Sequence, residues 1–187
     1  GAKILHPTCV RPAQEHNIPV RLLNTLCPEA FGTLIHNSSE TGKIKAIAAK
    51  DNITSIKIKS SRMLLAYGFL RKIFEIFEDN KTAIDMITTS EVGVSVTIDN
   101  TKNLEQIISG LKTLGEVTVE EDMVIICVVG DLKWQNTGFE AKVLNAISTI
   151  PVRMISYGGS NHNVSVLIHK DDKIEALNLL SNHLFNN

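Results

Sequence analysis

The stretch "ITSIKIKS" at residues 53–60 alternates apolar and polar side chains, the pattern of a half-buried strand. "GFLRKIFEIFEDN" at 68–80 then places Phe69, Ile73, Ile76 and Phe77 at helical spacing, which predicts an amphipathic helix. "TAIDMITTS" at 82–90 is a short β-rich segment, and "VGVSVTID" at 92–99 alternates again. In "NLEQIISGLKTL" at 103–114, Leu104, Ile107, Ile108 and Leu111 share one helical face. "EVTVEE" at 116–121 closes the series as a strand. The predicted order is β-α-β-β-α-β. Two such helices cover one face of a four-stranded antiparallel sheet, a ferredoxin-like α+β arrangement.

The same order is written twice. Gly68-Phe69 matches Gly138-Phe139, seventy positions on, and Ile73 and Phe77 match Val143 and Ile147. "VSVTI" at 94–98 matches "VSVLI" at 164–168, again seventy on. Between these anchors "IDMIT" at 84–88 matches "VRMIS" at 152–156 across a two-residue gap, so Asp85 becomes Arg153. Leu104 and Ile107 match Ile174 and Leu177, and upstream "ITSIKIK" matches "VIICVVG" at 124–130. Six elements in conserved order make this an internal repeat. The second copy runs from residue 122 and ends on a helix, so it lacks a closing strand. "KIKAIAAKD" at 43–51 is placed to supply it, which nests the first module inside the second. Residues 1–42 lie outside both copies. There "TCVRPAQEHN" predicts a short helix, "IPVRLLNT" a strand and "AFGTLIH" a turn and strand, an α/β piece expected to have no sheet of its own.

Composition narrows the function classes. A formal net charge of -1 over 187 residues gives no global field for nucleic acid or an anionic membrane. Aromatic residues are only 5%, and "VSVTI" and "VSVLI" offer no stacking rings, which argues against the RNA-binding domains that share the ferredoxin-like order. Apolar runs such as "MVIICVVG" are too short to span a bilayer, and the start "GAKILHPTCV" has no leader pattern, so the expectation is a cytoplasmic protein. That start reads as abrupt, as in a fragment of a longer chain. Cys9, Cys27 and Cys127 are widely spaced and suggest no zinc site, with Cys127 expected in the core.

No phosphate-binding, dinucleotide-binding or nucleophile-elbow motif is present, so no catalytic residues and no metal site are expected. Gly158-Gly159 reads as a tight turn and His162 as a solvated loop residue. The pairs Glu120-Glu121 and Asp171-Asp172 read as solvated faces or helix starts. The sharper feature is the loop "SSRMLLAYGFL" at 60–70, where Gly68 precedes a helix start whose free N–H groups suit a carboxylate. Asp85, on the neighbouring strand, sits in the apolar run "AIDMI" and needs a cation or donors if buried. Together these are the two contacts a zwitterionic or basic amino acid requires. The alternative is that Asp85 lies exposed at a strand end or pairs with a nearby Lys. Arg153 inverts the local charge, so the second module is not expected to take the same ligand.

"GAKILHP", "GFLRKIFEIF", "IDMITTSEVGVSVTID" and "VRMISYGGSNHNVSVLI" together resemble the C-terminal region of aspartate kinases of the lysine-sensitive monofunctional type. The resemblance covers the whole chain. It implies paired ACT domains: a first, effector-binding module at 53–121, and a second built from 43–52 plus 122–187. It makes residues 1–42 the tail of an amino acid kinase domain. The parent enzyme would use ATP and Mg to phosphorylate L-aspartate to 4-phospho-L-aspartate, the first step of lysine, threonine and methionine biosynthesis. This chain lacks the kinase's nucleotide and aspartate motifs, and is expected to be non-catalytic and to hold no cofactor. The family pattern places feedback inhibition, commonly by L-lysine and sometimes by threonine, where two first modules pair in a homodimer. Carried onto this sequence, the effector residues are Met63, Ala66, Gly68, Phe69 and Leu70 in the loop, Ala83, Ile84 and Asp85 at the strand start, and Ser90 and Glu91 beyond it. Asp85 would meet the side-chain ammonium. Ala66 and Ala83 stand where Ser is familiar, and Leu65 where a His can occur, which leaves threonine as the alternative effector. A free-standing amino-acid-binding regulator, against which the abrupt kinase-like start argues, and a purely structural dimerisation module are the remaining readings.

Overall fold

The computed structural model describes residues 5–36, 43–64, 67–133, 135 and 137–185. The chain divides into two compact units, Gly1–Thr41 and Gly42–Asn187. In the first, helix α1 (Pro7–Glu15) begins with Pro at its first position, where a missing N–H costs nothing, and the His6 side chain caps it. Strands β1 (Val20–Leu22) and β2 (Thr33–Ile35) pair antiparallel, with Arg21 opposite Leu34. This corrects the expectation that the segment has no sheet of its own.

The second unit is built around two long strands, β3 (Ile44–Lys59) and β6 (Glu116–Gly130), lying antiparallel side by side. Between them in sequence come helix α2 (Phe69–Asp79), strands β4 (Ile87–Thr89) and β5 (Gly93–Ile98), and helix α3 (Leu104–Lys112). After β6 follow helix α4 (Phe139–Ala146), strands β7 (Met154–Ser156) and β8 (Asn163–His169), and helix α5 (Lys173–Phe185). The sheet order is β4-β5-β3-β6-β8-β7.

Each long strand serves both modules. The later half of β3 pairs with the early half of β6, from Ser55 opposite Glu120 to Lys59 opposite Glu116. The early half of β3 pairs with the later half of β6, from Ile44 opposite Gly130 to Lys50 opposite Ile125. Each module therefore has four strands in ferredoxin-like order, two short ones of its own and half of each long strand, and residues 44–50 close the second module's sheet. Where the sequence suggested four separate strands there are two continuous ones. The polar doublets Asp51-Asn52 and Glu121-Asp122 do not break the strands. Asn52 (φ 58°) and Asp122 (φ 60°) take left-handed backbone, which Asn and Asp tolerate, and the register shifts there while pairing resumes at Ile53 opposite Met123. These two kinks are seventy residues apart, like the other repeat anchors.

The helices cover one face of each module. Phe69, Ile73, Phe77, Ile107 and Leu111 pack on Ile56, Ile58, Val94, Val96 and Ile98. The equivalent core joins Val143, Ala146, Ile147, Ala176 and Leu180 to Val124, Ile126, Val128, Val164, Val166 and Ile168. Each fully buried aliphatic or aromatic side chain contributes about 1.5–3 kcal/mol relative to exposure. A third, smaller cluster gathers Ile53, Met86, Met123, Ile125, Met154 and Leu167, in which Met86 and Met154 are repeat equivalents. Cys127 is only half-buried and belongs to none of these clusters, contrary to the expectation of a core position. It lies between Ala48 and Ser165 in the sheet, with the Asn163 side-chain amide 3.7 Å from its sulfur.

Candidate functional site

At one end of the first module, Lys59 lies opposite Gly93, and the Ser60 N–H donates to the Val92 carbonyl at 2.9 Å. A single 3-10 turn, Ser61–Met63, follows, with Ser60 Oγ accepting from the Arg62 N–H. Met63 packs on the first core from this turn. Gly68, at φ 78° and ψ 9°, is the N-cap of α2, and no side chain caps the helix. The first N–H groups of α2 therefore have no capping side chain, an arrangement suited to an anion. A Cβ at Gly68 would meet nothing within 4 Å, so the conformation alone demands glycine there. Gly68→Ala is expected to destabilise the chain by about 1 kcal/mol through backbone strain, read as a lower midpoint in urea with the far-UV spectrum unchanged. Phe69 is buried and Leu70 partly exposed. Across the sheet edge, the Ser90 N–H donates to the Gly93 carbonyl at 2.8 Å, and Glu91 is exposed. Ala66, with Leu65, lies outside the described residues.

Ala83, Ile84 and Asp85 occupy the opposite end. Ile84 packs on the first core while Ala83 and Asp85 are exposed. The Asp85 N–H donates to the Thr97 carbonyl at 2.9 Å, and the Thr97 N–H donates to the Met86 carbonyl at 3.0 Å. Two residues thus face one, a bulge that the Thr97 hydroxyl secures by accepting from the Met86 N–H at 2.9 Å. The bulge sends Met86 into the third cluster and leaves the Asp85 carboxylate at the sheet's end. There Lys50 Nζ lies 2.6 Å from Asp85 Oδ1 and 2.8 Å from Asp99 Oδ2. Burial works to lower the Lys50 pKa, but hydrogen bonds and charge from Asp85 and Asp99 outweigh it and raise it. The hydrogen bond from Lys50 holds the Asp99 carboxyl below the usual carboxylate range. In this chain the cation beside Asp85 is Lys50.

The helix start and Asp85 do not meet within one chain. Ser90 pairs with Gly93 and Asp85 with Thr97, four residues apart along β5, or about 13 Å. The described residues fall into two groups, Met63, Gly68, Phe69, Leu70, Ser90 and Glu91 at one end and Ala83, Ile84 and Asp85 at the other. Edge strand β4 runs between them.

The second module repeats this geometry with inverted charge. The Arg153 N–H donates to the Leu167 carbonyl at 2.8 Å, as Asp85 does to Thr97, and the Arg153 guanidinium pairs with Glu120. Glu120 stands seventy residues after Lys50, and His169 seventy after Asp99. All three positions exchange sign or lose their negative charge. Glu120, Met123, Pro151, Val152, Arg153 and His169 are among the residues lining a cavity of about 300 Å³ here. Gly138, at φ 93°, starts α4 as Gly68 starts α2. Sequence reading missed Lys50 and Asp99. The signal was available, since Lys50→Glu120 reverses alongside Asp85→Arg153 in the repeat. Among the described residues no group of three or more His, Cys, Asp or Glu is placed to hold a metal, and no helix is long and apolar enough to cross a membrane.

Comparison with known proteins agrees with this architecture. Residues 126–184 match the family model of the ACT domain. The chain is 35% identical to the chloroplastic aspartokinase 3 of Arabidopsis thaliana over 99% of its own length, but spans only 35% of that relative. It superposes with a TM-score of 0.70 and 60% identity on a structure from Porphyromonas gingivalis W83 assigned to the C-terminal regulatory domain of aspartate kinase, covering 76% of this chain and 99% of that one. Escherichia coli aspartokinase III, crystallised with lysine and aspartate in its T-state, superposes at TM-score 0.86 and 34% identity, over 99% of this chain and 43% of that one.

Proposed function

The chain belongs to the aspartate kinase family, whose ACT-domain regulatory region it matches, and on that premise we propose that it is a feedback sensor that binds lysine between two copies of its first module. The observation that carries this reading is the division of the candidate residues between opposite ends of one edge-stranded module. A second copy laid antiparallel along β4 sets the Asp85 end of one chain against the Gly68 end of the other. The α2 N-terminus then receives the ligand carboxylate, and Asp85 of the second copy receives the side-chain ammonium. The copy of E. coli aspartokinase III cited above carries lysine in its own crystal, which supports the choice of effector.

In this reading the full-length protein phosphorylates L-aspartate with ATP and Mg, and the chain described here supplies regulation. Lysine can shift that activity only by the difference in its affinity for the two conformations. Ala83 brings no hydroxyl to the site, and Asp85 already holds a cation, which together favour threonine as the second reading.

Titration calorimetry of the chain with lysine, threonine and methionine tests the proposal. Lysine should bind, and Asp85→Ala should weaken it at least about tenfold, the loss expected for one charge-assisted hydrogen bond. Threonine binding without lysine binding would keep the sensor and replace the effector. Silence with all three would leave a dimerisation module.

A further inference from the structure

Asp85 already has an ammonium partner in this chain. Lys50 Nζ sits 2.6 Å from Asp85 and 2.8 Å from Asp99, bridging the two carboxylates. We propose that Lys50 is an internal competitor for the effector's side-chain cation, occupying Asp85 when no effector is bound and setting the affinity that a basic ligand must exceed. The inference rests on the reading of Asp85 as the ammonium partner.

Three features support it. A ligand ammonium at Asp85 must either displace Lys50 or sit beside it, and both oppose binding, the first by a lost hydrogen bond and the second by like-charge repulsion. Asp99 gives Lys50 a place to retreat to, so displacement forfeits one of two contacts and not both. The lysine and both carboxylates are partly solvent-exposed, with side-chain exposures of 46%, 25% and 44%, so the barrier is graded and modest.

The second module shows that such pairs are built as units. There Glu120 occupies the Lys50 position and holds Arg153, the Asp85 equivalent. In each module the charged residue at the strand start draws its counter-ion from the strand that enters from the other module. Lys50 lies in the half of β3 that closes the second module's sheet, two residues before the kink at Asn52. Releasing Lys50 from Asp85 therefore alters a contact between the first module's edge and a strand of the second.

The test is titration of lysine and norleucine, which lacks the side-chain amine, into the chain, Lys50→Met, Lys50→Arg and Asp85→Ala. Lys50→Met should bind lysine about two- to fivefold more tightly, the scale of a partly exposed ion pair, with any norleucine affinity unchanged. Lys50→Arg should stay near the parent chain. Lysine binding seen only in Lys50→Met is the same result in extreme form. Unchanged or weaker lysine binding in Lys50→Met, with loss in Asp85→Ala, overturns the competitor and keeps the Asp85 reading. Lysine binding that survives Asp85→Ala unchanged overturns both, as does absence of lysine binding in every chain.

Discussion

Thr89→Pro is expected to abolish effector binding while the chain stays folded. β4 is an edge strand only three residues long, Ile87–Thr89. Its hydrogen bonds to β5 are fixed at both ends, by Ser90 donating to Gly93 and by Thr97 donating to Met86. Antiparallel ladders alternate, so Thr88, opposite Ser95, points its N–H toward β5, while Ile87 and Thr89 point theirs outward. Proline at 89 removes only an outward N–H and sets a ring on the free edge, a position that tolerates proline. The existing ladder survives, and pairing along β4 does not.

The effect should be large because, in the proposed pairing, each copy supplies only half of the site. Without pairing, a ligand at α2 loses the carboxylate and a ligand at Asp85 loses the helix start. Sedimentation velocity should show a monomer, calorimetry a loss of affinity of about a hundredfold or more, and circular dichroism an unaltered fold. Ile87, at 36% exposure, is the apolar side chain that such pairing would cover. A dimer that persists and binds lysine normally would mean that the copies pair elsewhere.

Much of this architecture was legible because the repeat is long and ordered. Gly68 and Gly138 predicted two helix starts, and both start helices in left-handed backbone. The missing strand of the second copy was correctly sought in residues 43–51, because a ferredoxin-like module with an open side demands one. The continuity of β3 and β6 was not legible. Asp51-Asn52 and Glu121-Asp122 are polar doublets that read as strand ends, and only tertiary pairing shows that one left-handed residue absorbs the kink. The β1–β2 pairing was missed because each strand has three residues and ten residues separate them. The candidate site was legible as a set of residue types but not as a place. Which end of a strand a residue occupies depends on register, and the Asp85–Met86 bulge shifts that register locally. Lys50 is 35 residues from Asp85 in sequence, a distance that local pattern cannot bridge.

Phe77→Ala is expected to cost about 3–5 kcal/mol and to loosen both modules together. Phe77 is 2% exposed, on the inner face of α2 beside Phe69 and Ile73, against the β3–β5 side of the first core. The ring's removal leaves a cavity under a helix held by strands on a fixed ladder, so little collapse can offset it. Phe77 belongs to the first module's core and not to the second's. Yet β3 and β6 each contribute half their length to each module, so the second sheet cannot remain intact if those strands leave the first. Urea unfolding should therefore stay a single transition with a lower midpoint. Hydrogen exchange should lose protection at Val128 and Val166 by about the same factor as at Ile56 and Val96, two to three and a half powers of ten. Protection retained in the second module alone would show two independent folding units. Shared loss would show that the two modules open as one unit through β3 and β6, so that a ligand bound at the first module's edge, as proposed, would also stabilise the strands on which the second module is built.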